Sequence, residues 1–238
     1  KKIKYFMNVK HAMILAAGLG TRMKPLTLDT PKPLIKVGSK NLLERSINLL
    51  ESYGVEKIII NVHHLADQIE KFISNVKSNI RIGISNEKNL LLDTGGGVKE
   101  GTKIFDKNPF FVLNPDTLWL SNYLDEMKSL EKIFFESKKP SLLLVNKKLS
   151  FDTSFKGDFN LKDNIVSKDI ENNFIFTGLQ LMDRNCFNII NKQVFSMNEV
   201  WDKLIYEKKL YGLESRQKFY HLNTENMYNK ISNLDITD

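Results

Sequence analysis

An α/β protein, with a mainly parallel central sheet wrapped by helices, is the fold class this sequence predicts. Three observations carry the prediction. Short apolar runs alternate along the chain with stretches whose apolar residues recur at helical spacing. The first apolar run opens directly into a glycine turn, Gly18-Leu19-Gly20. No apolar run approaches the roughly 18 residues a membrane helix needs, while 238 residues at 42% apolar content suffice for one large buried core.

The elements follow in order. Met13–Ala17 reads as a fully buried first strand. Asn41–Tyr53 places Leu43, Ile47 and Leu50 at helical spacing, with Gly54 in the terminating position. Lys57–Val62 is a second buried strand, and Ala66–Val76 an amphipathic helix with Ile69, Phe72 and Ile73 inward. Ile80–Ser85 alternates as a strand, Val98–Ile104 reads as a helix, and Phe110–Leu113 as a central strand leading into Asn114-Pro115-Asp116. A helix near Tyr123–Phe135 and a strand at Ser141–Val145 come next. The last third is less regular: a hairpin at Lys156–Val166, a strand at Phe174–Met182, a helix at Asn198–Glu207, a strand at Lys218–Leu222 and a final helix at Thr224–Ile231.

Composition narrows the function classes. The net charge of +7 comes mainly from Lys scattered among Asn, Ile and Phe, without the Arg-rich run or aromatic-interleaved stripe of a nucleic-acid binder. No nucleic-acid or membrane partner is expected; a positive field would instead draw in anionic small molecules. The single cysteine, Cys186, excludes an internal disulfide, fits a reducing cytoplasm and reads as a buried apolar filler. The basic start, Lys1-Lys2-Ile3-Lys4-Tyr5-Phe6, has no extended apolar segment, so no signal peptide is expected, and translation is expected to start at Met7 or upstream. His63-His64 are adjacent and point apart, which suits a loop better than a metal pair.

The chemistry concentrates in Met13–Val37. Glycines just past a strand let backbone N–H groups approach a phosphate or a base, because no Cβ intervenes. Arg22 lies inside that loop, and Pro31-Lys32-Pro33 begins nine residues later. The dinucleotide fingerprint would need a glycine where Met23 stands, and the P-loop would need Gly-Lys-Ser/Thr where Gly20 is followed by Thr21-Arg22. A buried strand, a glycine loop and two cations describe a nucleoside triphosphate site of another kind.

Leu15-Ala16-Ala17-Gly18-Leu19-Gly20-Thr21-Arg22 with Pro31-Lys32-Pro33 resembles the long signature of the sugar-1-phosphate nucleotidyltransferases. The resemblance extends through Asn61-Val62-His63-His64-Leu65, Asp93-Thr94-Gly95-Gly96-Gly97, Asn114-Pro115-Asp116 and Phe176-Thr177-Gly178. Within the family it runs to the short N-acetylmuramate-1-phosphate uridylyltransferases of bacterial cell-wall recycling, through the triple glycine, Gly157-Asp158-Phe159 and Phe-Thr-Gly. It implies a Rossmann-like three-layer α/β/α fold, one catalytic domain over 1–238 with a sugar-binding subregion near 145–195, and no C-terminal β-helix. The implied reaction is attack by a sugar-1-phosphate oxygen on the α-phosphorus of a nucleoside triphosphate, with release of pyrophosphate. A phosphate monoester has its second pKa near about 6 and needs no activated nucleophile; placement and charge neutralisation must be supplied.

The resemblance assigns residues on that basis. Arg22 would hold the β- and γ-phosphates, and Lys32 the α-phosphate or the incoming sugar phosphate, with its prolines extending and stiffening the backbone. Leu15, Ala16, Ala17, Gly18, Gly20, Thr21 and Asn114 would line the nucleotide site. Thr94, Gly95 and Gly96, read as a loop preceding a helix, would recognise the base. Gly178 and Asp158 would meet the sugar. Asp116, just past an apolar strand, would bind Mg²⁺. Pro115 departs from the usual Asn-Gly-Asp or Asn-Ala-Asp. Phe219-Tyr220-His221-Leu222-Asn223-Thr224 departs further, carrying His221 where the family has a second metal-binding Asp, and Asn223 where it has Gly. Either Asp116 holds the metal with phosphate and water, or His221 contacts phosphate directly. The expected partners are a nucleoside triphosphate and a sugar 1-phosphate, with UTP and N-acetylmuramate 1-phosphate preferred and the chain a monomer or homodimer. Alternatives are a mannose-1-phosphate guanylyltransferase, a phosphocholine cytidylyltransferase, and a non-catalytic nucleotide-sugar sensor.

Overall fold

β1 (His11–Leu15) opens the part of the chain that the computed structural model describes, residues 9–234 and 236; the basic start and Met7 lie outside it. A minor pair, β2 (Lys36–Val37) and β3 (Lys40–Asn41), leads into α1 (Leu42–Tyr53), β4 (Lys57–Val62), α2 (Ala66–Asn75) and β5 (Arg81–Asn86). Then come α3 (Asp93–Gly101), β6 (Phe110–Leu113), α4 (Leu124–Ser137), β7 (Ser141–Asn146), β8 (Asn160–Lys162) and β9 (Ile165–Ser167). β10 (Phe174–Met182), α5 (Met197–Tyr206), β11 (Tyr211–Ser215) and α6 (Glu225–Ser232) complete it.

Among the described residues nine strands form one sheet, in the order β5-β4-β1-β6-β10-β7-β11-β9-β8. β10 runs antiparallel to both β6 and β7, and β9 antiparallel to β11 and β8; the other seven strands share one direction. Side-chain alternation makes the three layers. Ala12 and Ile14 of β1, Ile58 and Ile60 of β4, and Phe111 and Leu113 of β6 face α1, α2 and α4. Met13, Ile59, Phe110 and Val112 face the opposite layer, built on α3 and α5. No helix among the described residues is long and apolar enough to cross a membrane.

Local chemistry sets several boundaries. Asn41 caps α1 by accepting the Glu44 N–H at 2.7 Å, and Gly54, at φ 99°, ends it. β1 stops at Leu15, so Ala16 and Ala17 belong to the loop rather than to the strand. The hairpin is shorter than expected, its two strands confined to 160–162 and 165–167. Lys218–Leu222 joins no ladder: Phe219 and His221 make only isolated bridges, to Ser150 and Thr117. The strand of that region is β11, whose polar sequence gives no strand signal and which forms by in-register parallel pairing with β7.

The largest local correction is α3. It begins at Asp93, so Gly95, Gly96 and Gly97 lie inside a helix and are buried. Their lack of side chains serves packing: a Cβ on Gly95 would overlap the Phe195 ring, one on Gly96 the Gln193 carbonyl, and one on Gly97 Glu87 Oε1 at 2.8 Å. Gly95→Ala is therefore expected to destabilise the fold by about 1–3 kcal/mol, despite alanine's better helix propensity. A thermal or denaturant midpoint equal to wild type would refute the overlap.

Candidate active site

The carboxyl ends of β1 and β6 open on a cavity of about 630 Å³. Ligands of open α/β sheets collect at such strand ends. The glycine turn forms one wall. Gly20 sits at φ 63° with its carbonyl accepting the Thr27 hydroxyl at 2.8 Å, and a Cβ there would press on the Thr27 methyl at 3.0 Å. Gly18 has nothing within 4 Å of a built Cβ and lines the cavity directly. Arg22 follows on a single 3₁₀ turn, Thr21–Met23, and is exposed. Pro31 is extended, but Lys32–Leu34 closes as another 3₁₀ turn rather than continuing extended.

That turn delivers Lys32 to Asp116, its Nζ 2.7 Å from Oδ2, with both side chains largely buried. Burial by itself would raise the Asp116 carboxyl, but the Lys32 ammonium holds it far below the usual carboxylate range. His221 Nε2 lies 3.6 Å from the same oxygen. Burial pushes the imidazole below its ordinary value; Asp116 opposes that, and Lys32 and Arg22 reinforce it. His221 is thus neutral near pH 7, with its ring against those of Phe155 and Phe219.

A second cavity of about 660 Å³ adjoins the first, sharing Leu15, Arg22, Asp93, Thr94 and Asn114 with it. Asp158 and His221 line it, and Asp158 Oδ2 accepts the Phe176 N–H at 2.9 Å. The structure thus gathers Leu15, Ala16, Ala17, Gly18, Gly20, Thr21, Arg22, Lys32, Thr94, Asn114 and Asp116 around the first cavity, and Asp158 and His221 around the second.

Gly95, Gly96 and Gly178 line neither. The N–H groups of Gly95 and Gly96 both donate to the Phe195 carbonyl at 3.0 Å, so they are not open to a base. Gly178, at φ 94°, lies at an irregularity of β10, and a Cβ there would come within 3.0 Å of Asn114 Cβ; its carbonyl accepts the Asn114 N–H. It shapes the Asn114 strand end. Thr94 reaches the cavity, while its hydroxyl accepts the Met197 N–H at the start of α5.

Sequence reading missed a buried pair beneath the glycine loop. Asn61 Oδ1 accepts the Ala16 N–H at 2.7 Å, and its amide donates to Glu87 Oε1 at 2.8 Å. Glu87 Oε2 in turn accepts the Leu92 N–H at 2.9 Å. This chain ties the loop after β1 to the start of α3. The available signal was a polar residue ending the apolar run of β4. Cys186 is buried, its thiol pushed up to about 12, and His63 bonds the Glu87 carbonyl in a loop. Among the described residues no three His, Cys, Asp or Glu side chains converge on a metal position.

Over 116 residues the chain is 41% identical to the N-acetylmuramate alpha-1-phosphate uridylyltransferase of Caulobacter vibrioides, covering 48% of each protein. It is 30% identical over 217 residues to mannose-1-phosphate guanyltransferase 2 of Candida glabrata, covering 85% of this chain and 58% of that one. The chain thus spans about half the length of the curated relatives it matches. The crystal structure of HddC from Yersinia pseudotuberculosis superposes with a TM-score of 0.74 at 25% identity, covering 94% of this chain and 98% of that one. The nucleotidyl transferase family model matches residues 11–141, more than half of the chain, from β1 through the glycine turn, Lys32 and Asp116 to the first residue of β7. By that match the chain belongs to the nucleotidyl transferase family.

Proposed function

We propose that this chain is a single catalytic domain that joins a nucleoside triphosphate to a sugar 1-phosphate, releasing pyrophosphate and giving a nucleoside-diphosphate sugar. The observation that carries this reading is the convergence of Arg22, Lys32 and Asp116 with the glycine turn on one cavity that opens into a second. The first has room for a nucleotide. The second, built largely from residues 155–176 and 196–201, would take the sugar, with Asp158 oriented to accept a hydroxyl.

In this reading the sugar phosphate oxygen attacks the α-phosphorus and the bond to the β-phosphate oxygen breaks. Arg22 pairs with the departing pyrophosphate oxygens, its fork matching two at once. Lys32 places a point charge between the α-phosphate and the incoming phosphate. Asp116 fits a Mg²⁺ ligand: Lys32 takes Oδ2, while Oδ1 is buried without a hydrogen-bond partner, and Mg²⁺ commonly takes one or two carboxylates plus phosphate oxygens. When bound, such a cation neutralises triphosphate oxygens. The proposal includes a cytoplasmic location, since nucleoside triphosphates are available there, and a monomer or homodimer as the assembly.

UTP and N-acetylmuramate 1-phosphate are the preferred pair, supported by the likeness to the Caulobacter protein. Guanylyl transfer to mannose 1-phosphate is the alternative the Candida relative supports. A pyrophosphate-release screen of four nucleoside triphosphates against a panel of sugar 1-phosphates tests all of these. Silence across the matrix with Mg²⁺ and Mn²⁺ would overturn catalysis and favour a nucleotide-sugar sensor, the reading that neutral His221 beside Asp116 supports.

His221→Asp separates the two roles open to that residue. If Asp116 works as the lone carboxylate ligand, the added oxygen donor lowers the half-saturating Mg²⁺ concentration and leaves kcat less changed. If His221 contacts phosphate, the new negative charge raises the KM for the triphosphate. A titration in which neither parameter moves would remove residue 221 from the site.

A further inference from the structure

The second cavity holds a buried amide whose donor end is unused. Gln180 lines that space of about 660 Å³ from β10 and is only 2% exposed. Its Oε1 accepts the Trp201 indole N–H at 3.0 Å. An indole nitrogen only donates, so the amide oxygen must face Trp201 and the NH₂ group must point away from it. Nε2 makes no hydrogen bond to another described residue. Nor is it among the unpartnered side-chain atoms that are fully sealed off, so its remaining exposure opens on the cavity that Gln180 lines. Buried polar groups are almost always paired, and this donor calls for an acceptor brought by a ligand.

The surroundings decide which acceptor fits. Trp201 packs edge-on against Phe176 and Phe159, with ring centroids 4.8 and 5.7 Å away, and all three rings line the same cavity. A hydroxyl placed at Gln180 would bring a proton of its own, and the amide oxygen that could take it is already turned to Trp201. A carboxylate would bring a full charge to a neutral donor among aromatic rings, which costs more than one hydrogen bond returns. Lys168, the lysine of this cavity, is engaged elsewhere, its Nζ 2.5 Å from Asp202 Oδ1 and over the Phe159 ring. A neutral carbonyl oxygen accepts without donating, and a methyl group attached to it suits the aromatic corner.

We propose that Gln180 is a specificity-determining residue, its Nε2 donating to the carbonyl oxygen of an acylamino substituent on the sugar 1-phosphate, whose methyl packs against Phe159, Phe176 and Trp201. The substrate class is then an N-acylated amino-sugar 1-phosphate rather than a plain hexose 1-phosphate. This rests on the reading that the second cavity takes the sugar.

Initial rates of the full chain with N-acetylglucosamine 1-phosphate, N-acetylmuramate 1-phosphate and glucose 1-phosphate, each against four nucleoside triphosphates, test this. Wild type is expected to prefer both N-acetyl sugars over glucose 1-phosphate in kcat/KM. Gln180→Leu removes the donor and is expected to lower kcat/KM for both N-acetyl sugars by roughly tenfold or more, and for glucose 1-phosphate far less. Because that variant leaves the Trp201 N–H unpaired, Gln180→Glu is the second probe. Ionised at alkaline pH, it still accepts from Trp201 but has no proton to donate, and the same loss of preference is expected. An unchanged N-acetyl to glucose ratio in the folded variants would overturn the role of Gln180 alone. A loss confined to N-acetylmuramate 1-phosphate would overturn the carbonyl assignment in favour of the carboxylate which that sugar carries. No turnover with any of these three sugars would overturn the substrate class, and silence with every sugar 1-phosphate the underlying reading as well.

Discussion

Asp116→Asn is expected to abolish metal-dependent turnover, by about 10³-fold or more, in a protein of unchanged size and helical content. Asp116 stands directly past β6, where the sheet's parallel strands end, and its ionised form is enforced by an ammonium 2.7 Å away. The asparagine oxygen can still accept from Lys32, so the geometry around β6 survives. What is lost is the negative charge that stands beside Lys32 in the cavity wall. Some stability goes with it, because the largely buried ammonium is left without its counter-charge. Initial rates across a Mg²⁺ titration, with circular dichroism as the control for folding, decide the matter. Wild-type Mg²⁺ dependence in the asparagine variant would place the metal elsewhere.

Arg22→Ala should leave the fold intact and reduce kcat/KM by roughly 10²-fold or more, because the proposed reaction would lose the charge that pairs with the departing pyrophosphate. The expectation rests on position. Gly20, in a left-handed conformation, turns the chain sharply after β1, and the single 3₁₀ turn that follows places Arg22 on the shared edge of both cavities. The side chain is exposed, so its removal costs the core nothing. Arg22→Lys should recover only part of the loss, since an ammonium cannot reproduce the two-pronged contact. An unchanged kcat/KM in a folded alanine variant would remove Arg22 from the chemistry.

How much of this was legible in the chain differs from feature to feature. The glycine turn, the Gly54 helix stop and the buried strands β4 and β6 could be read directly, because each depends on the sterics or polarity of a few neighbouring residues. α3 could not: three consecutive glycines carry poor helix propensity, and the helix holds only because Phe195, Gln193 and Glu87 pack where side chains would otherwise stand. β11 was hidden for a related reason, its strand conformation being imposed by pairing along β7.

The sequence by itself determined the α/β class, the glycine loop after the first strand and the identity of the cations and carboxylate beside it. Tertiary structure alone decided which of these groups meet. Lys32 and Asp116 are 84 residues apart and touch because β1 and β6 are neighbours in the sheet. Asn61 and Glu87 reach the loop after β1 because β4 lies on its other side, with β5 next in order. His221 and Asn223 arrive through a segment held by isolated bridges rather than by any ladder. The physical reason is the range of the forces involved: propensity and turn geometry act within a few residues, whereas burial, charge pairing and the orientation of an amide depend on strand order, which no local pattern encodes.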